Sequence, residues 1–232
     1  LASSCSVGAP PDDLGPMGQN WGIPPYVPWR LRCAGYRPWL DTLRAVLRNA
    51  RALRIDHVMG LFRLFWIPPG GDATSGAYVY QYGAELLDLA LMEAARVDAL
   101  LIGEDLGTVE ASVQEAMTRR NVFGYRVGWF EDDPPQRWPA TSMGSLTTHD
   151  LPTAPGLWSG ADAADRAEAG LAPDPSADAL LRGRLARLAG VDPGSTADDH
   201  KVTVSAYDAL ARGSSTMVMA TIEDAVGERH RR

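Results

Sequence analysis

Four times along this chain a short apolar run stops at an acid. The runs are Leu53-Arg54-Ile55-Asp56, Ala99-Leu100-Leu101-Ile102 followed by Gly103-Glu104-Asp105, Ser145 to Thr148 followed by His149-Asp150, and Thr216 to Ile222 followed by Glu223-Asp224. Runs of four to eight apolar residues read as strands, and a run without polar alternation fits a strand buried on both faces of a parallel sheet. A fifth strand is expected over Tyr125 to Phe130. Between the runs the apolar residues recur at three and four. Leu40, Leu43, Val46, Leu47 and Ala50 predict a helix from Trp39, and further helices are expected at about 84 to 97, after Thr108 as a cap, and at about 161 to 170, 176 to 189 and 202 to 211. Strands that alternate with helices, with no hairpin signal between them, indicate parallel strands with helical crossovers. Acids at the ends of several strands fit a (β/α) barrel, whose chemistry is assembled from many strands at one face. No glycine-rich phosphate fingerprint follows any strand, so a dinucleotide-binding sheet is not supported.

The remainder of the chain is less regular. Residues 1–38 carry Gly and Pro too densely for any period, yet include Trp21, Tyr26, Trp29 and Tyr36, and are read as an irregular, aromatic-rich segment that binds substrate. Gly60 to Gly76 is read as a second irregular loop. Residues 155–200 are read as a helical insertion, and 1–232 as a whole as a catalytic (β/α) barrel fragment. With 45% hydrophobic residues the chain can bury a full core, and a net charge of −7 argues against nucleic acid and against an anionic membrane surface as partners. No apolar run is long enough to span a bilayer. Two cysteines, Cys5 and Cys33, with no paired spacing predict free thiols and a soluble, cytoplasmic protein. The four histidines lack metal-ligand spacing, so neither a metal nor another cofactor is expected.

A carboxylate that leaves a sheet needs a cation or hydrogen-bond donors to stay ionised, and Arg54 projects from the same strand face as Asp56. Asp56, Glu104 and Asp150 are therefore candidates for a set of acids acting on one bond. Two carboxyl groups, one ionised and one protonated, are the apparatus of glycoside cleavage, and a third can stabilise charge on the sugar ring. Asp56 beside Arg54 suits the nucleophile. Glu104, with Asp105 as an acidic neighbour favouring its protonated form, suits the general acid/base. The plainer alternatives are a structural Arg-Asp pair, an acid pair at a helix N-terminus for Glu104 and Asp105, and a turn acid for Asp150. His57 and His149 each adjoin a candidate acid, which suits hydrogen bonds to sugar hydroxyls.

The motifs Gly18-Gln19-Asn20-Trp21-Gly22-Ile23-Pro24-Pro25-Tyr26, Arg54-Ile55-Asp56-His57, Gly103-Glu104-Asp105-Leu106-Gly107 and Thr148-His149-Asp150 resemble, in order and spacing, those of the amylomaltases, the 4-alpha-glucanotransferases of glycoside hydrolase family 77. The resemblance implies a (β/α)8 TIM barrel and a retaining enzyme acting on maltooligosaccharides and alpha-1,4-glucans. It implies Asp56 as nucleophile, Glu104 as acid/base and Asp150 as transition-state stabiliser. It also implies that Arg54 orients Asp56 and that Trp21, Asp105 and His149 line the donor site. Val58-Met59 and Leu151 depart from the family's usual residues, so sugar contacts from those places are not carried over. By the same resemblance the five strands are the fourth to eighth of the barrel, with three more expected before Leu1. The isolated chain is then expected to expose apolar strand faces and to be inactive alone. An alpha-glucan hydrolase and an inactive glucan-binding fragment are the alternatives.

Overall fold

The computed structural model describes residues 1–11, 16–107, 109–172 and 174–230, which divide into two units, Leu1–Phe123 and Gly124–Arg232. In the first, β1 (Ser6–Ala9) and β2 (Gln19–Asn20) precede α1 (Pro28–Cys33), α2 (Arg37–Leu47) and β3 (Ala52–Ile55). Next come β4 (Arg63–Ile67), β5 (Ala77–Tyr80), α3 (Gly83–Ala95), β6 (Leu100–Gly103) and α4 (Ala111–Arg119). The helix expected from Trp39 begins slightly earlier, with Pro38 in its first turn, where a missing N–H costs nothing. It buries Leu43 and Leu47, each at most 2% exposed, against α3. Burying a leucine this completely contributes about 2 kcal/mol.

β3 and β6 pair in parallel, as their apolar runs predict, with Leu53 opposite Leu101 and Ile55 opposite Gly103. A parallel bridge from Ile102 to Phe123 extends the ladder on the other side of β6. Leu53 and Ile55 pack into the helix layer with Leu43, Leu87, Ala90, Leu101, Val113 and Met117, so Arg54 and Asp56 are left to the opposite face.

The antiparallel sheet is a correction to the sequence reading. It has the strand order β2-β1-β4-β5, and so the segments 1–38 and 60–76, expected to be irregular, supply strands. Phe65 pairs with both Gly8 and Tyr78, and Phe65, Ile67 and Ala73 form a small apolar cluster of their own. Arg63-Leu64-Phe65-Trp66-Ile67 and Ala77-Tyr78-Val79-Tyr80 have strand composition, but the Pro- and Gly-rich segment between them is too long to give a hairpin signal.

The second unit contains β7 (Gly124–Val127), β8 (Ser142–Ser145), α5 (Ala154–Ser159), α6 (Ala161–Glu168), α7 (Pro175–Ala189), α8 (Asp199–Ala211), β9 (Met217–Met219) and α9 (Ile222–Val226). β7, β8 and β9 form a parallel sheet in that order. β7 stops before Phe130, the expected end of that strand, because a turn at Gly128-Trp129 closes with the Phe130 N–H donating to the Val127 carbonyl at 2.8 Å. β8 starts and ends three positions earlier than the run Ser145 to Thr148 predicts. Helix α7 packs on α8, and α5 packs on both. No helix among the described residues is long and apolar enough to cross a membrane.

Candidate active site

The end of the β3–β6 ladder fixes two of the three candidate acids. The Glu104 N–H donates to the Ile55 carbonyl at 2.9 Å and the Val58 N–H donates to the Glu104 carbonyl at 3.0 Å, so the pairing continues past the last strand residues. Asp56 and Glu104 thus leave neighbouring parallel strands at their C-terminal ends. The Asp56 carboxylate is 73% exposed and accepts from Arg54 Nη2 at 2.7 Å, the expected partner on the expected face. Glu104 is half-buried, and both of its oxygens are occupied. Oε2 accepts the His57 N–H at 2.8 Å and Oε1 the Leu106 N–H at 2.6 Å. Asp105 is buried. Neither acid stands at a helix N-terminus, since α4 starts at Ala111 with Glu110 at its N-cap position. Thr108, expected to cap that helix, lies outside the described residues.

His57 is bound into the same structure. Its backbone is left-handed, at φ 47° and ψ 61°, and its ring meets the Trp21 ring edge to face at a centroid distance of 5.5 Å. Burial holds the imidazole below its ordinary pKa, although the negative charges of Glu104 and Asp56 pull the other way. It is therefore neutral at neutral pH and able to donate from one ring nitrogen and accept at the other. Trp21 is carried by the β2 segment, with its N–H on the Val7 carbonyl at 2.9 Å and its indole Nε1–H on Gln19 Oε1 at 2.9 Å. Trp21, Tyr26, Trp39, Asp56, His57 and Gln81 line part of a cavity of about 320 Å³. Gln81 was missed in the sequence. Its signal was the alternation Tyr78, Tyr80, Tyr82, which marks β5 and so places the next residue at a strand end.

The third acid belongs to the second unit. Asp150 sits in a turn beyond β8, not at the strand end itself. Its carboxylate lies 3.3 Å from His149 Nε2, both side chains are largely exposed, and its N–H donates to Thr148 Oγ1 at 3.3 Å. Thr147, Thr148, His149, Leu151, Thr221 and Glu223 line part of a separate cavity of about 100 Å³.

Asp224 corrects another reading. β9 ends at Met219, and Asp224 lies within α9, 2% exposed. It accepts the Ala154 N–H at 2.8 Å and the Tyr207 hydroxyl at 2.7 Å. It therefore satisfies a helix N-terminus and serves the interior of the unit, not a cleft. Among the described residues no group of three or more His, Cys, Asp or Glu side chains could hold a metal ion, and Cys5 and Cys33 are free.

Comparison with known proteins places the chain in a family. The family model described as 4-alpha-glucanotransferase, glycoside hydrolase family 77, matches residues 1–232. The 4-alpha-glucanotransferase of Mycobacterium tuberculosis (strain ATCC 25618 / H37Rv) is 36% identical over 248 residues, which cover 99% of this chain and 34% of that protein. That of Haemophilus influenzae is 43% identical over 160 residues, covering 67% of this chain and 23% of that protein. The crystal structure of amylomaltase from Corynebacterium glutamicum superposes with a TM-score of 0.86 at 33% identity, over 95% of this chain and 35% of that one. An amylomaltase from Streptococcus agalactiae, solved with acarbose, shares the fold with a TM-score of 0.74 at 18% identity. The chain spans about a third of the length of the M. tuberculosis relative and of the C. glutamicum structure. With the family match running from the first residue to the last, the chain belongs to the 4-alpha-glucanotransferase family, glycoside hydrolase family 77.

Proposed function

We propose that this chain carries the catalytic acids of a 4-alpha-glucanotransferase that moves alpha-1,4-glucan segments between maltooligosaccharides by retaining double displacement. The observation that supports it best is the placing of Asp56 and Glu104 at adjoining C-terminal strand ends, with Arg54 on the Asp56 carboxylate. In the first step Asp56 attacks the anomeric carbon while Glu104 gives its proton to the departing glycosidic oxygen, leaving a glucosyl ester on Asp56 and a free sugar hydroxyl. In the second, Glu104 takes the proton of an acceptor 4-hydroxyl as that oxygen displaces Asp56, and the alpha linkage is restored. Each Glu104 oxygen accepts one amide N–H, and its second lone-pair position is left to carry the proton. Asp150 is assigned the stabilisation of positive charge on the ring, and Trp21, Arg54, His57, Asp105 and His149 substrate contacts, from their places in the family's motifs. We infer that β3 and β6 correspond to the fourth and fifth strands of a (β/α)8 barrel and β7, β8 and β9 to the sixth to eighth, with 1–38 as the substrate segment and 155–200 as a helical insertion. Unpaired Cys5 and Cys33 favour a cytoplasmic location. Incubation with maltotriose tests the activity. Where the remaining strands of the barrel are supplied, glucose plus a ladder of longer maltooligosaccharides is expected; shorter sugars alone would make the protein a hydrolase, and unchanged maltotriose would refute catalysis by these acids.

A further inference from the structure

The geometry points to a seat of two backbone amides, those of His57 and Leu106, that orients the Glu104 carboxylate, with the left-handed backbone of His57 as its adjustable half. Glu104 takes one amide on each oxygen, at 2.8 and 2.6 Å, so rotation of the carboxyl group is fixed from both sides. Such hydrogen bonds to a carboxylate are stronger than neutral ones. The Leu106 donor is local, two residues along the chain, and any sequence that makes this turn would provide it. The His57 donor is not. It comes from the neighbouring strand end and reaches Oε2 while that residue stands at φ 47°, a region that non-glycine residues seldom occupy and asparagine tolerates best.

Two neighbours hold His57 there. The Trp21 ring lies edge-on to the imidazole at 5.5 Å, and Gly60 leaves room on another side, since a Cβ at Gly60 would lie 3.3 Å from His57 Cδ2 and 2.9 Å from Leu64 Cδ2. Trp21, on the substrate segment, is thereby linked through the His57 backbone to Glu104. His57 is in this sense a positioning residue, in addition to any contact that its ring makes with sugar. The acid/base role of Glu104 rests on the function proposed above; the seat itself does not, and the two can fail separately.

Amide hydrogen exchange on the 232-residue chain tests the seat without any need for turnover. The His57 and Leu106 amides are expected to be protected, and to exchange about tenfold faster or more in Glu104→Ala, as loss of one charge-assisted bond predicts. The Val58 amide, bonded to the main-chain carbonyl of Glu104, should stay protected in that variant. Unprotected His57 and Leu106 amides in the unaltered chain, or protection that Glu104→Ala leaves in place, would overturn the seat. Where transfer is observed, His57→Asn and His57→Val separate backbone from ring. Both lack the imidazole, but only Asn accepts the left-handed backbone. The Asn variant should transfer from maltotriose about tenfold or more faster than the Val variant, and the two should release the first equivalent of fluoride from alpha-glucosyl fluoride, a step whose leaving group needs no proton, at similar rates. Equal rates on maltotriose, or an equal gap on both donors, would remove His57 from the positioning of Glu104.

Discussion

Replacing Asp224 should destabilise the second unit in a pH-dependent way, and the structure sets the size. The side chain is buried and satisfies two donors, the Ala154 N–H that opens α5 and the Tyr207 hydroxyl on α8. Asp224→Ala orphans both, and a buried donor left without a partner costs about 1–3 kcal/mol, so the variant should lose about 2–6 kcal/mol out of the 5–15 kcal/mol that domains ordinarily hold. Burial raises the Asp224 pKa despite the opposing hydrogen bonds, and burial, followed by the charge of that carboxyl group, raises that of Tyr207. A carboxyl group whose native pKa lies above its unfolded value contributes most below the unfolded value, near 3.9, and that contribution is lost as pH rises through the native value. Asp224→Asn keeps an oxygen for Ala154 and cannot ionise. Relative to it, the unaltered protein should therefore weaken between about pH 4 and pH 7, by about 1.4 kcal/mol for each pH unit that separates the native and unfolded values. Urea unfolding at both pH values measures the difference, with other carboxylates cancelling between the two proteins. An alanine variant within about 0.5 kcal/mol of the original, or an asparagine variant with the same pH dependence as the original, would refute this account of Asp224.

Two further variants test the scaffold and the nucleophile. A Cβ at Gly8 would lie 1.9 Å from the Gln19 carbonyl oxygen, so Gly8→Ala must part β1 from β2. It should cost about 1–3 kcal/mol in thermal unfolding and weaken the quenching of tryptophan fluorescence by added glucan, since Trp21 follows β2; a variant unaltered in both would contradict this. Arg54→Lys exchanges a planar fork for a point charge beside Asp56, and should slow transfer about 10- to 100-fold from maltotriose and alpha-glucosyl fluoride alike, because both donors need the nucleophile. A loss confined to maltotriose would instead place Arg54 on the acid/base side.

The parallel strands and their helices were legible because each depends on a local period: Leu100 to Gly103 is a short apolar run, and Leu43 and Leu47 lie one helical turn apart. The pairing of Arg54 with Asp56 was legible for the same reason, being set by strand geometry alone. The antiparallel sheet was not, since β1 meets β4 across more than fifty residues and no local signal announces such a partner. β8 was displaced because Ser142-Met143-Gly144-Ser145 has poor strand propensity and is held by its neighbours, with Trp138 and Ser215 close over Gly144. Asp224 was misread because an acid after an apolar run has the same appearance whether it faces solvent or caps a buried helix. The seat of Glu104 was invisible for a different reason: its donors are backbone amides, which every residue but proline carries.

The central claim, that Asp56 forms a covalent bond with the sugar while Glu104 manages the proton, is tested most directly by trapping. Glu104→Gln treated with alpha-glucosyl fluoride can form the ester without a proton donor but lacks the base that speeds its breakdown, so the intermediate should accumulate. Digestion and peptide mass spectrometry should then find one anhydroglucosyl unit on Asp56 and none after Asp56→Asn is added. A label on Asp105, Asp150 or any other side chain, or fluoride release that persists without Asp56, would contradict the assignment.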